Sequence, residues 1–219
     1  MPTITRISEQ KRRPNRCNIF LDGGFAFGCN LNVVARFRLV VGKVLSADDV
    51  REIEFGEVKQ ECFDKAIEFL SVRQHSRAEL FRKLKRSEWG DPVIDAVIED
   101  LTRMEYLNDA KFARSRATAS AEQKKHGRRR AFLELIKSGV KGDVAQEALK
   151  DVYSQIDSKE IARDLARKQA PRLLKLDPQT ARRRMTGMLQ RRGFDYESIR
   201  PIIDEFLGKP GSEPRDNAE

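Results

Sequence analysis

The chain has 219 residues, of which 39% are hydrophobic, 35% charged and only 7% aromatic, and it carries a formal net charge of +9. This core is leaner and the charge richer than in an average globular domain, which argues against a compact enzyme around a deep apolar pocket and for an elongated, thin-cored protein. No run approaches the roughly 18 apolar residues of a membrane span, and Met1 to Asn15 lacks the apolar segment of a secretory leader. The three cysteines, Cys17, Cys29 and Cys62, are odd in number and form no Cys-x-x-Cys, which fits a reducing cytosol.

Residues 1–57 differ in character from the rest. Ile4 to Ile7 and Cys17 to Phe20 are short apolar or alternating runs, and Asp22-Gly23-Gly24 breaks the chain before Phe25-Ala26-Phe27. The pattern predicts a β-hairpin around a Gly-rich turn. It is not a phosphate loop, because no Lys-Ser/Thr follows and no helix opens behind it. Leu31 to Leu39 is expected to be a short helix. Ser46 is a good N-cap for another helix through about Gly56, with Asp48 and Asp49 beside the positive end of its dipole.

From Val58 onward the pattern is helical and repeats three times. The copies align on Leu84, Leu135 and Leu189, which stand 51 and 54 residues apart. Four residues earlier come Leu80, Ala131 and Met185; five later come Trp89, Val140 and Phe194. Further on, Val97, Ala148 and Ile202 share a column, as do Leu101, Val152 and Phe206. Apolar columns in a fixed register mean stacked supersecondary units. Each unit reads as three helices, giving repeats at 58–107, 108–156 and 157–207. Ser76 with Glu79 has the capping-box spacing, Pro92 suits a first helical turn, and Gly139 and Gly193 close the middle helices as left-handed C-terminal glycines. Residues 208–219, with Pro210, Gly211 and Pro214, read as a disordered tail.

Charge is uneven along this array. Residues 59–107 carry a net −1, 108–156 carry +5 and 157–207 carry +4. At about 100° per residue, the columns five before and two after the anchor leucine point away from the core. They hold Arg130 and Lys137 in the second repeat and Arg184 and Arg191 in the third, with Arg129 and Arg183 on the flank. The triplets Arg128-Arg129-Arg130 and Arg182-Arg183-Arg184 recur in register, and Arg192 follows Arg191. These nine residues form the expected binding face, a row of basic helix surfaces suited to a phosphate backbone or to the acidic wall of a repetitive assembly. No zinc-finger spacing, RNP-type motif or basic zipper is visible, so any nucleic-acid contact is expected at the backbone. Phe112, Phe132, Tyr153, Phe194 and Tyr196 fall mostly on core columns.

Catalytic chemistry is not visible. His75 and His126 each precede a middle helix in polar surroundings, where an exposed or capping role is expected, and neither has a metal-ligand partner at the right spacing. Cys62 lies in a helical stripe and reads as a small buried hydrophobe. The doublets Asp48-Asp49, Glu99-Asp100 and Asp204-Glu205 cannot converge, because helix neighbours diverge by about 100°. No cofactor, metal site or nucleophile–base pair is expected.

Four segments carry a resemblance: FLSVRQHSRAELFRKL (Phe69 to Leu84), YLNDAKFARSRA (Tyr106 to Ala117), KKHGRRRAFLELIKSGV (Lys124 to Val140) and LQRRGFDYESI (Leu189 to Ile199). In order and spacing they resemble the signatures of the bacterial RecX family of regulatory proteins over roughly residues 60–207. NIFLDGGFAFGCN (Asn18 to Asn30) is similar to the N-terminal extension of longer members. Arg73, Ser76, Glu79, Leu80 and Leu84 match the first motif, and Leu107, Asn108, Asp109 and Phe112 the second. Trp89, where Phe is common, and the small Ala131 depart from the pattern and bear on packing. The resemblance implies a non-enzymatic helical array that binds in the groove of the RecA filament on DNA, blocks strand exchange and coprotease activity, and has some affinity for single-stranded DNA. It implies a place in DNA repair, homologous recombination and the SOS response, in the bacterial cytoplasm, as a monomer. A single-stranded nucleic-acid binder independent of RecA is the alternative, and a cryptic hydrolase, for which no nucleophile–base pair or metal site can be drawn, is a third reading.

Overall fold

In the computed structural model, which describes residues 1–209, three strands open the chain: β1 (Ile4–Gln10), β2 (Arg13–Leu21) and β3 (Gly24–Asn30). They form an antiparallel sheet in the order β1-β2-β3, with Ile7 opposite Ile19 and Cys17 opposite Cys29. Asp22 and Gly23 make the two-residue β2–β3 turn with φ of 48° and 88°, the positive values that twist-matched hairpin turns require. The expected hairpin is therefore one half of a three-stranded meander. The extra pairing of β1 with β2 runs from Ile4, Arg6 and Ile7 on through Ser8, Glu9 and Gln10 to Arg13, and these last positions are polar and carry no apolar alternation to announce a strand.

Ten helices follow among the described residues. The first is the short α1 (Leu31–Arg36), capped by the Asn30 side chain, which accepts from Asn32 N at 2.9 Å. Next, α2 (Ala47–Val72) opens with a full capping box: Ser46 Oγ accepts from Asp49 N at 3.0 Å, and Asp49 Oδ2 accepts from Ser46 N at 2.7 Å. Here the structure corrects one expectation. Gly56 does not end the helix, which continues for 16 further residues. A Cβ at Gly56 would stand 2.6 Å from Phe37 Cε2, so this glycine lets an aromatic ring lie against the helix backbone.

The chain divides into two compact units, residues 1–75 with 79–107, and residues 76–78 with 108 onward. The first has two cores. Ile4, Ile19, Val33, Leu45 and Ile53 bury the sheet against α1 and α2. Cys62, Ala66, Leu80, Leu84, Val97 and Leu101 join the second half of α2 to α3 (Arg77–Arg86) and α4 (Asp91–Arg103). Lys59 and Asp100, 2.6 Å apart, tie α2 to α4.

The second unit holds two three-helix repeats, α5 (Asp109–Glu122), α6 (Arg128–Lys137) and α7 (Gly142–Tyr153), then α8 (Ser158–Leu173), α9 (Pro178–Arg191) and α10 (Tyr196–Leu207). Asn108, Asp157, Asp177 and Asp195 cap four of the six with side-chain oxygens. The anchor leucines and the residues four before them are all buried. Gly139 and Gly193 sit at φ of 83° and 91°, the left-handed closure expected of them. Gly208 and Lys209 are the only tail residues described; positions 210–219 lie outside the described residues.

Candidate functional site

The face is built on α6 and α9. Ala131 and Leu135 on α6, and Ala181, Met185 and Leu189 on α9, turn one side of each helix inward. This fixes the opposite side outward. Arg128, Arg129, Arg130 and Lys137 are exposed on α6, and Arg183, Arg184 and Arg191 on α9.

The two helices differ in electrostatics. Glu134 lies on α6 and gathers basic groups: the Lys124 ammonium at 2.9 Å, the His126 ring at 3.3 Å and the Arg130 guanidinium at 3.7 Å. Burial works to raise its pKa, but these neighbours outweigh it and hold the carboxyl below its ordinary value. By contrast, α9 contains no carboxylate. Arg183, Arg184 and Arg191 line a hollow of about 460 Å³ with Gln169, Leu173 and Met188, and no acidic residue faces it. Three guanidinium groups around one concavity are suited to an anionic oxygen cluster such as a phosphodiester.

Two of the nine expected residues serve the fold. The Arg182 side chain is only 23% exposed; it pairs with Asp204 of α10 at 2.6 Å and also donates to the Gly208 carbonyl. Arg192 is half-buried, and its guanidinium donates to the Lys124 carbonyl at 2.8 Å. Beside it, the Arg192 carbonyl accepts from Gly127 N at 2.8 Å, locking the third repeat to the second.

Sequence reasoning also missed a cleft of about 790 Å³ between these two repeats. Arg128 and Arg129 line it, joined by Lys150, Lys159 and Asp195, by Tyr153, Ser154, Ser158 and Ser198, and by the apolar Phe132, Leu149 and Phe194. Lys150 and Lys159 belong to α7 and α8, outside the middle-helix columns, so column alignment alone could not find them.

His75 departs from expectation. It is 2% exposed, with Nδ1 3.3 Å from Glu79, and burial holds its pKa below the ordinary 6.5. His126 is half-buried, and its carbonyl accepts from the Tyr153 hydroxyl at 2.8 Å. Burial pushes the Cys29 thiol up to about 12 and the Cys62 thiol up to about 11, so both are protonated and unreactive at neutral pH. Among the described residues, no group of three or more His, Cys, Asp or Glu could hold a metal ion, and no helix is long and apolar enough to cross a membrane.

Family models match three of the parts. The regulatory protein RecX N-terminal domain matches residues 2–46, the first RecX three-helix domain 62–101 and the third 157–203. Regulatory protein RecX of Bacillus subtilis is 35% identical over 210 residues, covering 94% of this chain and 78% of that protein. The chain belongs to the RecX family of regulatory proteins. RecX of Bacillus velezensis is similar at 36% over 209 residues, with the same coverage. A RecX crystal structure superimposes with a TM-score of 0.82 over 93% of this chain and all of that one, at 22% identity. RecX from Lactobacillus salivarius gives 0.62 over 69% of this chain and 97% of that one, at 24% identity. The match to the third three-helix domain takes in Arg182, Arg183, Arg184, Arg191 and Arg192.

Proposed function

We propose that this RecX-family chain inhibits the RecA recombinase by lodging in the groove of the RecA–DNA filament through the basic face of its second unit. The observation that carries this reading is the common outward exposure of Arg130, Lys137, Arg184 and Arg191 on α6 and α9. Such a surface is drawn to a polyanion and releases counterions on contact. The protein acts by occupancy and without catalysis, as a monomer in the bacterial cytoplasm, restraining homologous recombination, DNA repair and the SOS response. Added at stoichiometry to RecA on single-stranded DNA, it lowers DNA-dependent ATP hydrolysis and strand exchange; unchanged rates refute the proposal. Arg130→Glu combined with Arg184→Glu removes this inhibition and leaves helical circular dichroism intact, because both side chains lie outside the cores.

The hollow on α9 favours a second reading, a single-stranded nucleic-acid binder that acts without RecA. Co-sedimentation with RecA filaments, at a salt concentration that abolishes binding to bare DNA, separates the two.

A further inference from the structure

Both middle helices of the second unit present cations to solvent, but what lies between the cations differs. On α6, Leu133 is 55% exposed and Ile136 41% exposed. At about 100° per residue, Leu133 falls between Arg129 and Arg130 around the helix, and Ile136 falls beside Arg129. The outward surface of α6 is thus an aliphatic patch flanked by Arg129, Arg130 and Lys137. The equivalent positions on α9 are Gly187 and Gln190, and on α3 they are Arg82 and Lys85. Only the second repeat carries aliphatic residues there. Single exposed hydrophobes are ordinary on a surface, but two on one turn of one face, bordered by cations, form an interface pattern of apolar patch and polar rim.

Phosphate contact does not account for this pattern. A sugar–phosphate backbone offers little to two branched aliphatic side chains, and Glu134 already draws on the charge of Arg130. The α9 hollow has the opposite character, three guanidinium groups with no carboxylate facing them. We propose that the outward face of α6 docks a protein surface, specifically an acidic surface with an apolar socket for Leu133 and Ile136, while nucleic-acid backbone is met at α9. This rests on the filament reading above and identifies the protein-facing element within it: in that assembly the occupant is the protein component of the filament.

The test uses the full chain with Leu133→Gln and Ile136→Gln together. Two measurements are compared: co-sedimentation with RecA filaments at a salt concentration that abolishes binding to bare DNA, and fluorescence anisotropy with a single-stranded oligonucleotide at low salt. Filament affinity is expected to fall about tenfold, the scale of losing apolar anchors from an interface, with oligonucleotide affinity and helical circular dichroism unchanged. Leu133→Ile with Ile136→Leu keeps the apolar area and retains filament binding. Arg184→Gln with Arg191→Gln weakens the oligonucleotide complex. Equal loss of oligonucleotide affinity in the glutamine variant, or unchanged filament affinity, overturns the assignment. Wild-type protein that fails to co-sediment overturns the filament reading and this inference with it; wild-type binding with an unaffected variant overturns the inference alone.

Discussion

Arg182 and Arg183 are adjacent, yet one guanidinium is held against Asp204 and the other is open to solvent. The difference follows from helix geometry: about 100° per residue puts Arg182 some 20° from the anchor Leu189, on the core side, and Arg192 some 60° to the other side of it. Both directions could be read from the sequence. The partners could not, because Asp204 lies 22 residues away and the Lys124 carbonyl 68 residues away. Arg128 shares the column of Arg182 but stays exposed, because α6 begins at Arg128 whereas α9 has begun a turn before Arg182. Removing one member of a half-buried pair strands the other. Arg182→Ala is therefore expected to cost about 1–2 kcal/mol in urea unfolding, and Arg183→Ala less than about 0.5 kcal/mol. Nucleic-acid affinity should respond in the reverse order, falling for Arg183→Ala and holding for Arg182→Ala when measured under conditions where both are folded.

Helices were easier to read from the sequence than the points where they meet. Apolar columns located the middle helices, and the glycines at 139 and 193 closed them as a left-handed residue does. Gly56 misled because glycine has two uses, positive φ and close approach, and only the fold brings Phe37 against it. Gly193 combines both uses. Its φ is 91°, and a Cβ there would lie 2.3 Å from Arg130 N and 2.4 Å from Arg130 Cβ, at the seam between the second and third repeats. Gly42 has the same φ of 91° with nothing within 4 Å. Alanine at Gly42 pays only for backbone conformation, about 1–2 kcal/mol, whereas Gly193→Ala adds a clash with backbone atoms and should cost about 2–5 kcal/mol in total. Urea denaturation of the two variants separates the terms; equal losses would mean that the seam yields without cost. The seam also bears on the binding face, since it sets α6 and α9 in their relation within one unit.

For the molecule as a whole, the shifted titrations define a pH window. Burial lowers His75 and His126 below 6.5, so the unfolded chain binds protons that the folded chain refuses. Stability is then complete above about pH 6.5 and declines as pH falls through the folded values. Asp177 and Asp195, each accepting a hydrogen bond from a helix's first turn, and Asp49, which accepts from the Ser46 cap, are held below 3.8. They add a second loss in the same direction at lower pH. At the alkaline end the sign reverses. Burial raises Cys17, Cys29 and Cys62 above 9.0 and Tyr153 to about 12, so the folded chain retains protons that the unfolded chain releases. Stability declines as pH rises past about 9. The urea midpoint should therefore be highest between about pH 6.5 and 9 and fall on both sides, with the acid limb beginning near the histidine value and not near that of the carboxylates. His75→Asn tests the cause directly. It removes one buried imidazole, so the drop in midpoint between pH 7 and pH 5 should shrink relative to wild type even where the variant is less stable overall. An acid limb of unchanged steepness in that variant would show that protonation of His75 plays no part in it.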